Sequence, residues 1–224
     1  MATLRTYCDG CAAAHALDLI GERWALLVVR ELLLGPKRFT DLRSGLPNAS
    51  PNVLAQRLRE LEAAGVVRRR KLPPPAASRV YELTDWGMEL EPVILRLGRW
   101  GARSPYRARD AELGVDSLIL SFRTMFDPRG AEGLNATYEL RLGEDWFRAV
   151  VAEGRFEVER GGADRPDAVI EADPATLATL VYEGGSLAEA LRSGDVKIEG
   201  DRSAVERFLG IFPLPEPAAP AVGA

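Results

Sequence analysis

The chain has 224 residues, 46% hydrophobic and 28% charged, with two cysteines, one histidine and a formal net charge of −4. This composition suits a globular chain able to bury one large core or two small ones, and it excludes a largely disordered polymer. It also excludes a disulfide scaffold and a His-rich metal centre. No run reaches the ~18 uninterrupted apolar residues of a membrane-spanning helix.

The charge is divided along the chain. Residues 1–109 hold 18 Lys and Arg against 11 Asp and Glu, and residues 110–224 hold 11 against 22. A basic half suits a polyanion and an acidic half is repelled by one, so two domains with different partners are expected. The first ten residues lack a basic segment followed by an apolar run, so no secretory leader and a reducing cytoplasm are expected.

Residues 11–20 carry Ala13, Ala16, Leu17 and Ile20 at helical spacing, and Gly21 interrupts them. Residues 24–34 are apolar almost all round, which predicts a buried helix stopped by Gly35-Pro36. Phe39 and Leu42 open a short helix, and breakers fill 45–48. Ser50 is a good N-cap, with Pro51 at the first helical position. Leu54, Leu58 and Leu61 then form one stripe. Asn52, Gln56 and Arg59 fall opposite it, and Arg57 flanks it.

A short helix, a tight turn and a helix with amide and guanidinium groups outward form a helix-turn-helix. Asn and Gln pair with adenine and Arg with guanine in the major groove. Two strand-like runs, 66–71 and 79–84, flank Pro73-Pro74-Pro75 and predict a β-hairpin wing. Its cations, Arg68, Arg69, Arg70, Lys71 and Arg79, suit phosphate contacts. Thr84 or Asp85 caps a last helix over 86–100. The residues expected to touch DNA are those five with Arg38, Thr40, Ser50, Asn52, Gln56, Arg57 and Arg59.

The run from Cys11 to Gly101 resembles the HxlR-type winged-helix transcriptional regulators. The likeness is carried by Ala16-Leu17-Asp18-Leu19-Ile20-Gly21-Glu22-Arg23-Trp24, Leu32-Leu33-Leu34-Gly35-Pro36-Lys37-Arg38-Phe39, Leu54-Ala55-Gln56-Arg57-Leu58-Arg59-Glu60-Leu61 and Tyr81-Glu82-Leu83-Thr84. The resemblance implies a homodimer on an inverted-repeat operator in double-stranded DNA, with 12–20 and 89–100 at the dimer interface. Some members sense oxidants through a cysteine near the first helix, and Cys11 matches that position. Cys8 and Cys11 form a C-x-x-C pair, which is either structural or redox-active. Zinc would need two further ligands, and His15 supplies at most one.

In the acidic half, 106–115 is expected to be a linker. Residues 117–126 read as a helix with Leu118, Phe122, Met125 and Phe126 on one side. Four strands follow at 136–142, 146–151, 155–159 and 167–172; in the first, Ala136, Tyr138, Leu140 and Leu142 alternate with polar residues. Asp173-Pro174 starts a helix over 175–182, and Gly184-Gly185-Ser186 restarts one through 191. A strand at 196–199 and a helix capped by Asp201 complete the pattern. The Pro- and Ala-rich stretch 213–224 is expected to be a flexible tail.

A meander followed by helices is an α+β layout. This half resembles the sterol-carrier-protein-like fold through Asp167-Ala168-Val169-Ile170, Asp173-Pro174-Ala175-Thr176-Leu177, Leu187-Ala188-Glu189-Ala190-Leu191 and the run from Gly194 to Asp201. That resemblance implies an apolar cavity between sheet and helices. The expected wall is Phe122, Phe126, Tyr138, Leu140, Trp146, Phe147, Phe156, Leu180, Tyr182 and Phe208, with Tyr138 and Tyr182 as polar anchors. Neither a Gly-rich phosphate cradle nor a nucleophile–base constellation is visible, so no cofactor and no enzymatic activity are expected.

The expected fold is thus a mostly α winged helix with a β-hairpin, residues 1–105, followed by an α+β sterol-carrier-like domain, residues 116–212. The expected function is a dimeric, sequence-specific DNA-binding repressor governed by a hydrophobic small-molecule effector. One alternative is a regulator whose second domain only dimerises or docks a partner. Another is a redox regulator acting through Cys11. A third is a carrier or enzyme of hydrophobic metabolites that retained a winged helix.

Overall fold

The computed structural model describes residues 6–75, 77–106 and 113–219. The chain divides into two units, Met1–Ile94 and Leu95–Ala224.

The first unit holds α1 (Ala12–Ile20), α2 (Ala25–Leu32), α3 (Phe39–Gly45), α4 (Pro51–Ala63), the antiparallel pair β1 (Val67–Lys71) and β2 (Arg79–Leu83), and the short α5 (Asp85–Met88). Ser50 caps α4 by accepting from the Val53 N–H at 3.4 Å, with Pro51 at N1 where no N–H is needed. Leu54, Leu58 and Leu61 are sealed in the core with Val28, Val29 and Leu42. Helix α2 is shorter than the apolar run, because Trp24 precedes it in the left-handed region at φ 79° and Gly35 turns the chain away at φ 123°. Leu33 and Leu34 are buried although they lie outside the helix.

Thr84 is the cap of α5: its hydroxyl accepts from Gly87 N at 3.0 Å and donates to Gly65 O at 2.7 Å. A Cβ on Gly87 would stand 2.1 Å from Val66 O, so this turn packs against the hairpin only with glycine there. The single helix expected over 86–100 is two helices. The N–H groups of Glu89 and Leu90 turn back three residues, to Trp86 and Gly87, and α6 (Glu91–Ala102) restarts with Pro92 in its first turn. Proline tolerates that position and would clash in the interior of one continuous helix.

The division between units falls inside α6 rather than at the expected residue 105. The second half of α6 is tied to its own unit by Arg99, which donates to Thr124 O at 3.3 Å, and by Arg103, whose Nε donates to Glu216 O at 3.1 Å. Ala218 N donates to Arg103 O at 2.7 Å. The start of the stretch expected to be a flexible tail is therefore hydrogen-bonded, while 220–224 lie outside the described residues. Most of the expected linker, 107–112, also lies outside them.

The second unit continues with α7 (Val115–Met125), β3 (Ala136–Leu142), β4 (Asp145–Ala152), β5 (Arg155–Arg160), β6 (Ala168–Ala172), α8 (Pro174–Tyr182), α9 (Leu187–Ser193), β7 (Val196–Gly200) and α10 (Arg202–Leu209). The sheet order is β5-β4-β3-β6-β7, with β3 and β6 parallel and the other neighbours antiparallel. The expected four-strand meander thus breaks after β5. Its next strand does not extend the β5 edge but pairs with the free edge of β3.

The loop from β5 to β6 is fastened to the sheet as it goes. Gly161 N donates to Trp146 O at 2.8 Å, Ala163 N to the Glu139 carboxylate at 2.8 Å, and Asp167 N to Thr137 O at 2.8 Å. Glu139 is buried for this reason, and it also accepts from Arg141 Nε at 2.7 Å. Burial alone would raise its carboxyl pKa, but the Ala163 N–H and Arg141 outweigh that and hold it below the ordinary value.

Candidate nucleic-acid interface

Helix α4 presents Asn52, Gln56 and Arg59 to solvent, directly opposite its buried leucines. Gln56 Nε2 donates to Glu60 at 2.9 Å, one turn along the same exposed surface. The side chains of Arg38, Thr40 and Arg43 are exposed on and beside α3. Arg43 was not among the expected residues, although its place in the last turn of the first helix of the motif marks it. Ser50 is exposed, but its oxygen is committed to the cap of α4.

Arg57 does not belong to this surface. It is 8% exposed, with Nη1 2.5 Å from Glu60 and 3.5 Å from Glu22. Its position beside the leucine stripe turns it inward, where two carboxylates neutralise it. The expectation that it touches DNA is corrected to a structural role.

The hairpin cations are not equivalent. Arg68 and Arg70 both bond the carboxylate of Glu82, each through Nε at 2.7 Å. Arg69 lies 3.0 Å from Glu62 of α4 and over the Tyr81 ring at 5.3 Å. Lys71 and Arg79 are exposed and make no ion pair among the described residues. Burial raises the Glu82 carboxyl, yet the hydrogen bonds from Arg68 and Arg70 outweigh it and set its pKa below the ordinary range. Glu82 was missed from sequence: alternation puts Arg68 and Arg70 on one face, but the register that sets Glu82 opposite Arg68 is fixed only in the folded hairpin.

No residue of α1 or α6 is buried within the chain. Leu17, Val93, Leu97 and Trp100 are 46–74% exposed, a high density of bare apolar side chains. His15 is exposed on α1. Cys8 and Cys11 are exposed free thiols, and Cys11 stands at the N-cap of α1. The backbone N–H groups of Ala14 and Ala13 lower the Cys11 thiol pKa. Among the described residues, no group of three or more His, Cys, Asp and Glu is placed to hold a metal ion.

In the second unit the expected wall residues largely pack on one another. Phe122 stacks on Phe212 at 4.7 Å and meets Phe208 edge-on at 5.9 Å. Tyr138 lies 4.6 Å from Phe208, and Phe126 5.7 Å from Phe156. Leu140 and Phe147 are fully buried and Leu180 is 9% exposed. The Tyr138 hydroxyl donates to Ala204 O at 3.0 Å, and the Tyr182 and Ser121 hydroxyls lie 2.6 Å apart. Both expected polar anchors are thereby engaged within the domain.

Trp146 is the exception. It pairs with Arg141 across β4 and β3, on the face opposite Phe147, and is 46% exposed with the Arg141 guanidinium 4.8 Å from its ring. Adjacent residues of a strand face opposite ways, so Trp146 and Phe147 cannot line one interior. Trp146 instead borders an outer cleft of about 460 Å³ with Arg141, Glu171 and Lys197.

Residues 19–108 match the family described as HxlR-like helix-turn-helix, and residues 111–222 match the family described as alkyl sulfatase C-terminal. The uncharacterized HTH-type transcriptional regulator YvaP of Bacillus subtilis is 41% identical over 85 residues, covering 38% of this chain and 79% of that protein. The HTH-type transcriptional regulator YodB of the same organism is 38% identical over 85 residues, covering 38% and 76%. A solved structure of the redox regulator HypR in its oxidized form shares 34% identity over 45% of this chain and all of that one, with a TM-score of 0.38. The chain belongs to the HxlR-like helix-turn-helix family of DNA-binding transcriptional regulators, and joined to that domain it carries a member of the alkyl sulfatase C-terminal family.

Proposed function

We propose that the protein is a cytoplasmic homodimer that binds an inverted-repeat operator and represses transcription there. The observation that carries this reading is the exposure of Asn52, Gln56 and Arg59 on the face of α4 opposite its buried leucine stripe. Amide and guanidinium groups so placed can read base edges, while the hairpin holds phosphates. The bare apolar faces of α1 and α6 are covered by a second copy, which sets two recognition helices for two half-sites. The test is a gel shift at fixed salt on DNA from upstream of the chain's own gene. Arg59→Ala and Gln56→Ala are expected to lose discrimination between that DNA and a scrambled duplex. Discrimination retained in both variants rejects α4 as the reading helix.

The second unit has two readings. In one, its sterol-carrier-like core parts around an apolar effector and changes operator affinity, which requires the effector to prefer one state of the dimer. In the other, the unit docks a partner or reinforces the dimer. The ring-on-ring packing of Phe122, Phe208 and Phe212 favours the docking reading. Organic extraction of the purified protein decides between them: released lipid-like material together with altered operator affinity supports the effector.

The lowered pKa of the exposed Cys11 thiol favours, in addition, control by oxidants. Under that reading peroxide alters operator binding of the wild type and of Cys8→Ser, but not of Cys11→Ser.

A further inference from the structure

The register of β1 and β2 sets Arg68 opposite Glu82 and Arg70 opposite Val80. Alternation therefore brings Arg68, Arg70 and Glu82 onto one face of the hairpin, with Arg69 on the other. The Glu82 side chain is only 11% exposed, while those of Arg68 and Arg70 are 60% and 46% exposed. Its two oxygens are divided between them, Oε1 to Arg68 and Oε2 to Arg70. Each arginine is held by Nε, which leaves its terminal Nη groups as donors. Among the described residues neither arginine makes a second ion pair or hydrogen bond. Arg69 is occupied by Glu62 and Tyr81 and ties the hairpin to α4.

We propose that Glu82 is a positioning residue that clamps Arg68 and Arg70 side by side, making a two-guanidinium site for one phosphodiester of the DNA backbone. This rests on the reading of the hairpin as a DNA-contacting wing. Two unclamped guanidiniums repel each other and sample many rotamers. A shared carboxylate screens that repulsion and fixes both side chains before DNA arrives. The trio carries one net positive charge, matching one phosphate, and the outward N–H groups of two guanidiniums suit its two non-bridging oxygens. Lysine could not replace either arginine, because an ammonium bonded to Glu82 keeps no second set of donors at a fixed angle.

A clamp and a charge sink predict opposite signs. If Glu82 only neutralised the arginines, removing its charge would tighten DNA binding. If it positions them, removing it weakens binding although the protein becomes more positive.

The experiment is fluorescence anisotropy of the full chain on a labelled random-sequence duplex across a series of KCl concentrations. Phosphate contacts do not depend on sequence, so no operator is needed. Glu82→Gln is expected to weaken binding about threefold to tenfold and to flatten the plot of log affinity against log salt by about one contact. The Arg68→Lys, Arg70→Lys double variant keeps every charge and leaves Glu82 in place, and it is expected to weaken binding similarly. The Arg68→Ala, Arg70→Ala pair is expected to weaken it further, and adding Glu82→Gln to that pair should cause no further weakening.

Equal or tighter binding by Glu82→Gln, with weaker binding by the double alanine variant, overturns the clamp and leaves the wing on DNA. Undiminished binding by the double lysine variant overturns the clamp even if Glu82→Gln fails to fold. Unchanged binding by the double alanine variant removes the wing from DNA, and the clamp with it.

Discussion

Arg57 and Arg59 sit two positions apart on one helix and have different surroundings, one buried and one exposed. At 100° per residue that step turns a side chain about 200° around the axis, from the edge of the leucine stripe to open solvent. Arg57→Ala is expected to lower unfolding stability by about 1–2 kcal/mol, because it removes a buried partner of Glu22 and Glu60. Its folded form should still discriminate operator from scrambled DNA. Chemical denaturation beside the gel shift checks both halves, and a selective loss of operator affinity would restore Arg57 to the interface.

Tyr138 gives a second test at this scale. Burial pushes its phenol up to about 12; Arg207 opposes the shift, and Asp167 and Asp201 add to it. The folded pKa lies above the ordinary value of 10.0, so the neutral form is favoured by folding. Its contribution to stability is complete below about pH 10 and is lost as pH rises toward about 12. Tyr138→Phe should cost about 1 kcal/mol near neutrality through the lost bond to Ala204, and it should flatten the alkaline arm of stability against pH. An alkaline arm as steep as that of the wild type would assign the loss to other groups.

At the scale of elements, the junction after the hairpin depends on two residues. Thr84 caps α5 and bonds back to Gly65, and Gly87 lets α5 approach the Val66 carbonyl. Thr84→Ala should cost about 1 kcal/mol. Gly87→Ala should cost about 1–3 kcal/mol, because a Cβ 2.1 Å from backbone forces the helix away. Thermal melts of the two variants check the order, and a Gly87→Ala protein as stable as the wild type would show that α5 can shift freely.

The same junction shows which elements local chemistry reveals. The caps at Ser50, Thr84, Asp173 and Asp201 lie within three residues of the N–H groups they accept, so the helix starts were legible. The parallel β3–β6 pair was not, because its partners are brought together by a loop crossing the sheet rather than by a tight turn. The buried acid that fastens that loop, Glu139, reads in sequence only as the polar half of an alternating strand.

At the scale of the molecule, a domain of one charge sign is joined to a domain of the other. The proposed dimer is tested on the bare faces of α1 and α6. Leu97→Glu and Trp100→Glu place a charge where a second copy would pack, and a monomer is expected in sedimentation velocity. Operator affinity should fall with it, since one half-site then binds alone. Dimers that persist in both variants would move the interface elsewhere.

The helix-turn-helix, its caps and its hairpin were legible in the sequence alone, because each depends on residues close along the chain, and the division of charge is read directly from it. Only the tertiary structure decided that Arg57 is an internal ion pair, which of Trp146 and Phe147 faces inward, and that the aromatic rings of the second unit pack against one another. Those outcomes depend on distant segments. A side chain's role is set by the charge or volume that folding brings beside it, and spacing along the chain carries no record of that.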